Sequence, residues 1–160
     1  MDFSNFFNYE GDPNKNDQEK IVFLADLPEE EWNHILSEMQ SYRFSVGDVV
    51  VKQGDAARVF YLVASGDLEV VFIADNGKEK QIRTIAPLSV FGEQAFLDGR
   101  ARSATVRALT PSEVRGMTIE DFDALAARYP ELARKLLFDL ARIVSLRLRE
   151  TTALAIEGKF

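Results

Sequence analysis

Phe91, Gly92, Glu93, Gln94, Ala95 and Phe96, followed by Arg102, Ser103, Ala104, Thr105 and Val106, form the stretch of this chain best equipped for chemistry. A glycine, a carboxylate and a small residue fall close together, and an arginine follows nine residues after the carboxylate. Gly92 has no side chain and so allows close backbone approach to a bound group. A short helix opening near Gln94 would turn free N–H groups toward an anion. Arg102 would bring a charged, forked donor to the same anion. Glu93 is an acceptor-only carboxylate, which suits a sugar hydroxyl. Phosphate donors beside a hydroxyl acceptor describe the ribose phosphate of a nucleotide. The same residues also admit a plainer arrangement, in which Glu93 and Arg102 form an internal ion pair in a loop.

Elements of three kinds must position this stretch. Pro28 suits a first helical position, and Glu29, Glu30 and Glu31 suit the positive end of the helix dipole. Trp32, Ile35, Leu36 and Met39 then recur on one apolar face. His34 falls off that stripe and reads as a solvated surface residue, not a ligand. From Tyr42 the period changes to short β-rich runs between glycine turns: 42–46, 49–51, 59–63, 68–73, 81–85, 104–108 and 113–117. Asn76-Gly77 is a hairpin signal, because both residues tolerate positive φ. About eight short strands at this spacing predict an antiparallel barrel or jelly roll.

The period then returns to helical. Thr118 with Asp121 makes a near capping box. Phe122, Leu125, Ala126 and Tyr129 share a face, and Pro130 ends that helix and opens the next. Leu136, Leu137, Leu140, Ile143, Val144 and Leu148 give the last helix an apolar stripe wider than one packing surface requires. Packing against the barrel and a partner helix together would use it. The organisation expected is a polar tail over 1–20 and one domain over 21–160. That domain has a helical lead-in at 21–41, a β-roll at 42–118 and C-terminal helices at 119–157. The tail carries Phe3, Phe6, Phe7 and Tyr9, which either pack back on the domain or dock a partner.

Composition removes whole classes of function. The 160 residues include no cysteine and one histidine, so disulfides, iron–sulfur clusters, thiolate zinc and multi-His metal sites are excluded. A cupin-type enzyme would need about three histidines, and a Ser-His-Asp arrangement would have to run through His34. The expectation is therefore no enzyme, no metal and no cofactor. A net charge of -7 argues against nucleic-acid binding by the domain itself. No signal segment or apolar membrane span is legible, which points to the cytoplasm.

The stretch at 91–106 resembles the phosphate-binding cassette of cyclic-nucleotide-binding domains. That pattern runs Phe-Gly-Glu, any residue, Ala, apolar, then a short loop to Arg, a small residue, Ala and Thr or Ser. Val46-Gly47-Asp48, Gln53-Gly54-Asp55 and residues 61–70 look like the family's roll turns. The resemblance covers about residues 20–155. It implies a mainly β, α+β fold: a double-stranded β-helix, or jelly-roll-like β-roll, flanked by N-terminal helices and a long C-terminal helix. It also implies that Glu93 accepts from the ribose 2′-hydroxyl and that Arg102 holds the cyclic phosphate. Backbone groups near Phe91, Gly92, Gln94 and Ala95, and near Ser103 and Ala104, would complete the cradle. The base would lie against Ile82 and Arg83 and against the last helix at Arg147, Leu148 and Thr151. Ala101 departs from the pattern where many relatives carry Pro, which touches only loop stiffness. Ser103 is ambiguous between a phosphate contact and a guanine contact, and cAMP is preferred to cGMP.

Relatives that regulate transcription continue past the long helix into a helix-turn-helix module of about 50 residues. This sequence stops at the helix, so the expectation is a sensor that signals to a protein partner through its C-terminal helix, with no DNA binding of its own. Two alternatives stay open. One is a ligand-free dimerisation module of the same fold, a homodimer through that helix. The other is the sensor part of a truncated transcription regulator. The family's haem- and redox-sensing branches use Cys or His ligands that this chain lacks.

Overall fold

The computed structural model describes residues 21–158, so the aromatic tail at Phe3, Phe6, Phe7 and Tyr9 lies outside the described residues. Helix α1 spans Glu29–Ser37, with Pro28 at its N-cap, one position earlier than the sequence predicts. Three glutamates occupy its first turn, and Trp32, Ile35 and Leu36 are buried. His34 is not simply solvated. Its ring stacks on Tyr129 at 4.0 Å between centroids.

Eight strands follow: β1 (Gln40–Phe44), β2 (Val49–Val51), β3 (Val59–Ser65), β4 (Leu68–Ile73), β5 (Glu79–Ile85), β6 (Val90–Phe91), β7 (Thr105–Ala108) and β8 (Ser112–Thr118). Helix α2 (Glu93–Asp98) interrupts them between β6 and β7. The strands form two four-stranded sheets, ordered β1-β8-β3-β6 and β2-β7-β4-β5, with antiparallel pairing throughout. The strand spacing predicts an antiparallel barrel or jelly roll, and the resemblance implies the β-roll that these two sheets form. Strand β6 is the addition. It has only two residues, which pair with Tyr61 and Leu62 and are too few for any periodic signal.

Strand β3 shows how the roll is built. Side chains alternate across a strand. Phe60 and Leu62 are fully buried in a core shared with Phe23, Trp32, Ile35, Phe96, Leu125, Leu136 and Ile143. Val63 instead joins Val51, Leu68, Ile85, Phe91, Val106 and Val114 inside the roll, where Tyr61 packs against them. One face of the strand therefore meets the helices and the other meets the roll interior. The β3–β4 turn demands glycine: Gly66 has φ +85°, and a Cβ there would lie 2.5 Å from the Pro111 carbonyl oxygen.

Helix α3 (Ile119–Arg128) opens with a complete capping box between Thr118 and Asp121. Pro130 then starts α4 (Pro130–Ile156), whose 27 residues run about 40 Å. Its first half buries Leu132, Ala133, Leu136, Leu140 and Ile143. Leu137, Phe138 and Leu148, by contrast, stay exposed. The lead-in is tied to this half: the Leu24 N–H donates to Asp139 Oδ2 at 2.7 Å, and Arg142 Nη2 donates to the Val22 carbonyl at 2.8 Å.

Candidate functional site

The site begins with one backbone conformation. Gly92 lies between β6 and α2 at φ +75° and is the N-cap of α2. A Cβ there would fall 2.5 Å from Arg102 Nη1 and 3.0 Å from the Val59 carbonyl oxygen. Dihedral angle and space both require glycine. Glu93 then enters α2 as its first residue, and Ala95 and Phe96 are buried beneath it.

Arg102 is only 6% exposed. Its Nη1 donates to the Gly92 carbonyl at 3.0 Å and its Nη2 to the Val59 carbonyl at 2.7 Å. Its guanidinium carbon lies 5.9 Å from the centre of the Tyr61 ring, which stacks on Phe91. Burial lowers the pKa of Arg102, an effect that Tyr61 and Glu93 oppose. The side chain remains a cation fixed at the edge of the roll. Burial also raises the pKa of the Tyr61 phenol, with the Arg102 charge acting against it.

Glu93 does not take Arg102 as its partner, so the internal ion pair between those two is replaced by another arrangement. Arg147 Nη1, from α4, donates to Glu93 Oε1 at 2.6 Å, and Arg147 Nη2 donates to the Val90 carbonyl at 2.6 Å. Glu93 is 5% exposed, and the Arg147 side chain is nearly as buried. Arg147 Nε is buried without a hydrogen-bond partner. Nearby, Arg83 of β5 lies 3.8 Å from Glu150 of α4. Burial lowers the pKa of Arg83, the Arg147 charge adds to that, and Glu150 and Glu93 oppose it. Ser103 Oγ donates to Gln94 Oε1 at 3.1 Å, joining the two arms of the motif at their exposed rim.

These groups surround a cavity of about 630 Å³, a size suited to a small organic ligand. Phe91, Gly92, Glu93, Gln94, Ala95, Arg102, Ser103 and Ala104 all line it, as do Arg83, Arg147, Leu148 and Thr151. Ile82 is the correction. It sits in the β-bulge where Val70 pairs with Arg83 and Val71 with Gln81, and it is an exposed residue outside the cavity lining. Alternation along β5 gives Arg83 and Ile85 to the cavity instead. The motif also missed the apolar floor of Val51, Val70, Ile85 and Val106, together with Leu97, Asp98 and Val144. The inward positions of the strands were a signal for the floor, while Val144 needed the docking of α4.

The cavity thus sets a cation and a carboxylate near backbone amides beside an apolar floor from the strands, and α4 adds Val144, Arg147, Leu148 and Thr151 to its lining. Among the described residues no group of three or more His, Asp or Glu could hold a metal ion, and no helix is long and apolar enough to cross a membrane.

Comparison with known proteins agrees with this geometry. A family model described as "Cyclic nucleotide-binding domain" matches residues 42–129. A cAMP-dependent protein kinase regulatory subunit of Blastocladiella emersonii is 38% identical over 90 residues, 56% of this chain and 22% of that protein. A Cyclic AMP receptor protein of Thermus thermophilus is 36% identical over 124 residues, 78% of this chain and 56% of that protein. The chain therefore spans about half, or less, of the length of these relatives. The crystal structure of the Thermus thermophilus Catabolite Activator Protein superposes with a TM-score of 0.75 at 30% identity, over 84% of this chain and 62% of that one.

Proposed function

This chain belongs to the cyclic-nucleotide-binding domain family, and we propose that it is a cytoplasmic, non-catalytic receptor for cAMP whose occupancy is read through helix α4. One observation carries the reading. The carboxylate facing the cavity, Glu93, is held by Arg147 of α4, while the buried cation Arg102 donates to two main-chain carbonyls and makes no carboxylate hydrogen bond or ion pair among the described residues. A cyclic phosphate would draw on Arg102 and on the amides at the start of α2. The ribose hydroxyl would then approach Glu93 and compete with Arg147 for it. Relief of that contact shifts the balance between two positions of the C-terminal half of α4, by as much as the ligand prefers one over the other. The exposed Leu137 and Phe138 on the same helix are the surface on which a protein partner or a second copy would dock.

The cAMP preference draws on the names of the two relatives above. A second reading, cGMP as ligand, draws on Arg83. This guanidinium lines the cavity and lies 3.8 Å from Glu150. A forked donor of this kind pairs with O6 and N7 of guanine. Isothermal titration of ligand-stripped protein with cAMP and with cGMP is the direct test. The expected result is saturable heat with both and tighter binding of cAMP. Tighter binding of cGMP would install the second reading, and absence of heat with both would end the proposal.

A further inference from the structure

The loop between β2 and β3 carries none of the motif residues, yet it grips both arms of the site. The Gly54 N–H donates to the Arg102 carbonyl at 2.9 Å, and the Arg102 N–H donates to the Asp55 carbonyl at 2.8 Å. At the end of the loop the Val59 carbonyl takes Arg102 Nη2. The residue before it, Arg58, reaches the other arm: its Nε donates to the Phe96 carbonyl at 3.0 Å and its Nη2 to the Leu97 carbonyl at 3.3 Å.

Those two carbonyls belong to the last turn of α2. The carbonyl before them, at Ala95, is already satisfied by the Gly99 N–H at 2.9 Å. Arg58 therefore answers the acceptors that the helix end leaves open. A helix of six residues has almost no stability of its own. Its orientation depends on what anchors it. Phe96 anchors it from below by packing edge-on against Phe60 and Phe122. Arg58 anchors its far end from the side.

We propose that Arg58 is a positioning residue for the nucleotide site. Adjacent residues 58 and 59 hold α2 and Arg102 in one frame, so that the Glu93 end of the helix and the Arg102 cation keep a fixed separation. This rests on the reading of the cavity as a cyclic-nucleotide site, and it adds a residue outside the cavity lining. Arg58 is exposed, so its replacement leaves both cores untouched. A lysine can reach one carbonyl but lacks the fork that takes both.

The test uses the full chain and its R58Q and R58K variants, titrated calorimetrically with cAMP and cGMP, with amide hydrogen exchange followed in the ligand-free proteins. The expected result for R58Q is affinity weakened about tenfold for whichever nucleotide binds, with R58K falling between it and the unsubstituted chain. Exchange should accelerate at residues 93–99 and stay unchanged in β3, β4 and β8. Unchanged affinity in R58Q would overturn the proposal. So would acceleration spread evenly through the roll, because that marks general destabilisation. If the unsubstituted chain takes up neither nucleotide, the functional reading falls by itself. The exchange comparison at residues 93–99 then decides whether Arg58 holds the helix.

Discussion

The two walls of the cavity are held in place by different means. The cassette wall, residues 91–106, is anchored by backbone. Arg102 binds two main-chain carbonyls with its side chain and is flanked by two more main-chain bonds to the β2–β3 loop. The opposite wall is the second half of α4, which is reached by side-chain bonds and by no main-chain ladder among the described residues. Arg147 grips Glu93 and the Val90 carbonyl, and Arg83 approaches Glu150 at long range. The halves of α4 differ in the same way. Its first half buries five residues against the helical core, and beyond Ile143 none is fully buried. A segment with few buried apolar contacts opens at low free-energy cost. Under the proposed function, one wall presents groups to the nucleotide and the other gives way when the nucleotide takes its contact.

The largest effect expected is at the backbone-anchored wall. Arg102→Ala should weaken nucleotide binding by about 4 kcal/mol, roughly a thousandfold, because a buried phosphate would lose its counter-charge. Titration calorimetry measures it. A loss below tenfold would mean that Arg102 serves the fold and not the ligand.

The Glu93–Arg147 pair tests the other wall. Arg147→Gln should cost about 3 kcal/mol of stability in urea unfolding, because it leaves the buried Glu93 carboxylate without its partner. The double variant Glu93→Gln with Arg147→Gln should cost about 1–3 kcal/mol less than the two single changes summed. Nucleotide affinity of Arg147→Gln should hold or rise, since the ribose hydroxyl no longer competes with Arg147 for Glu93. A full loss of binding would make Arg147 part of the ligand contact instead of its competitor.

Phe138→Ser sits at the small end of the scale. Phe138 is 74% exposed, so stability should move by about 0.5 kcal/mol or less. If a second copy covers this side of α4, light scattering should show weaker self-association in the variant. Identical association of both proteins would assign the apolar side of the helix to a different partner.

The cassette was legible for a local reason. Gly92, Glu93 and Ala95 act through the conformation of their own few residues, and spacing encodes that directly. The glycine turns, the Thr118–Asp121 capping box and the break at Pro130 were legible on the same ground. The resemblance set Ile82 beside Arg83 against the base, but a bulge in β5 leaves Arg83 and not Ile82 in the cavity lining, and a motif match does not carry the register of a neighbouring strand. His34 was read as solvated, although the ring it stacks on lies 95 positions further along the chain.

By itself the sequence determined the eight-strand pattern less β6, the flanking helices, and the presence of a carboxylate and a cation suited to a ribose phosphate. Tertiary structure decided their partners. Glu93 could have paired with Arg102, nine residues away, yet it pairs with Arg147, 54 residues away. The outcome depends on where α4 crosses the roll and on which of its faces turns inward. Those are set by the packing of Leu136, Leu140 and Ile143 against strands and helices distant in the chain. Spacing specifies local conformation, whereas the pairing of charges across a cavity waits for the cores that bring its walls together.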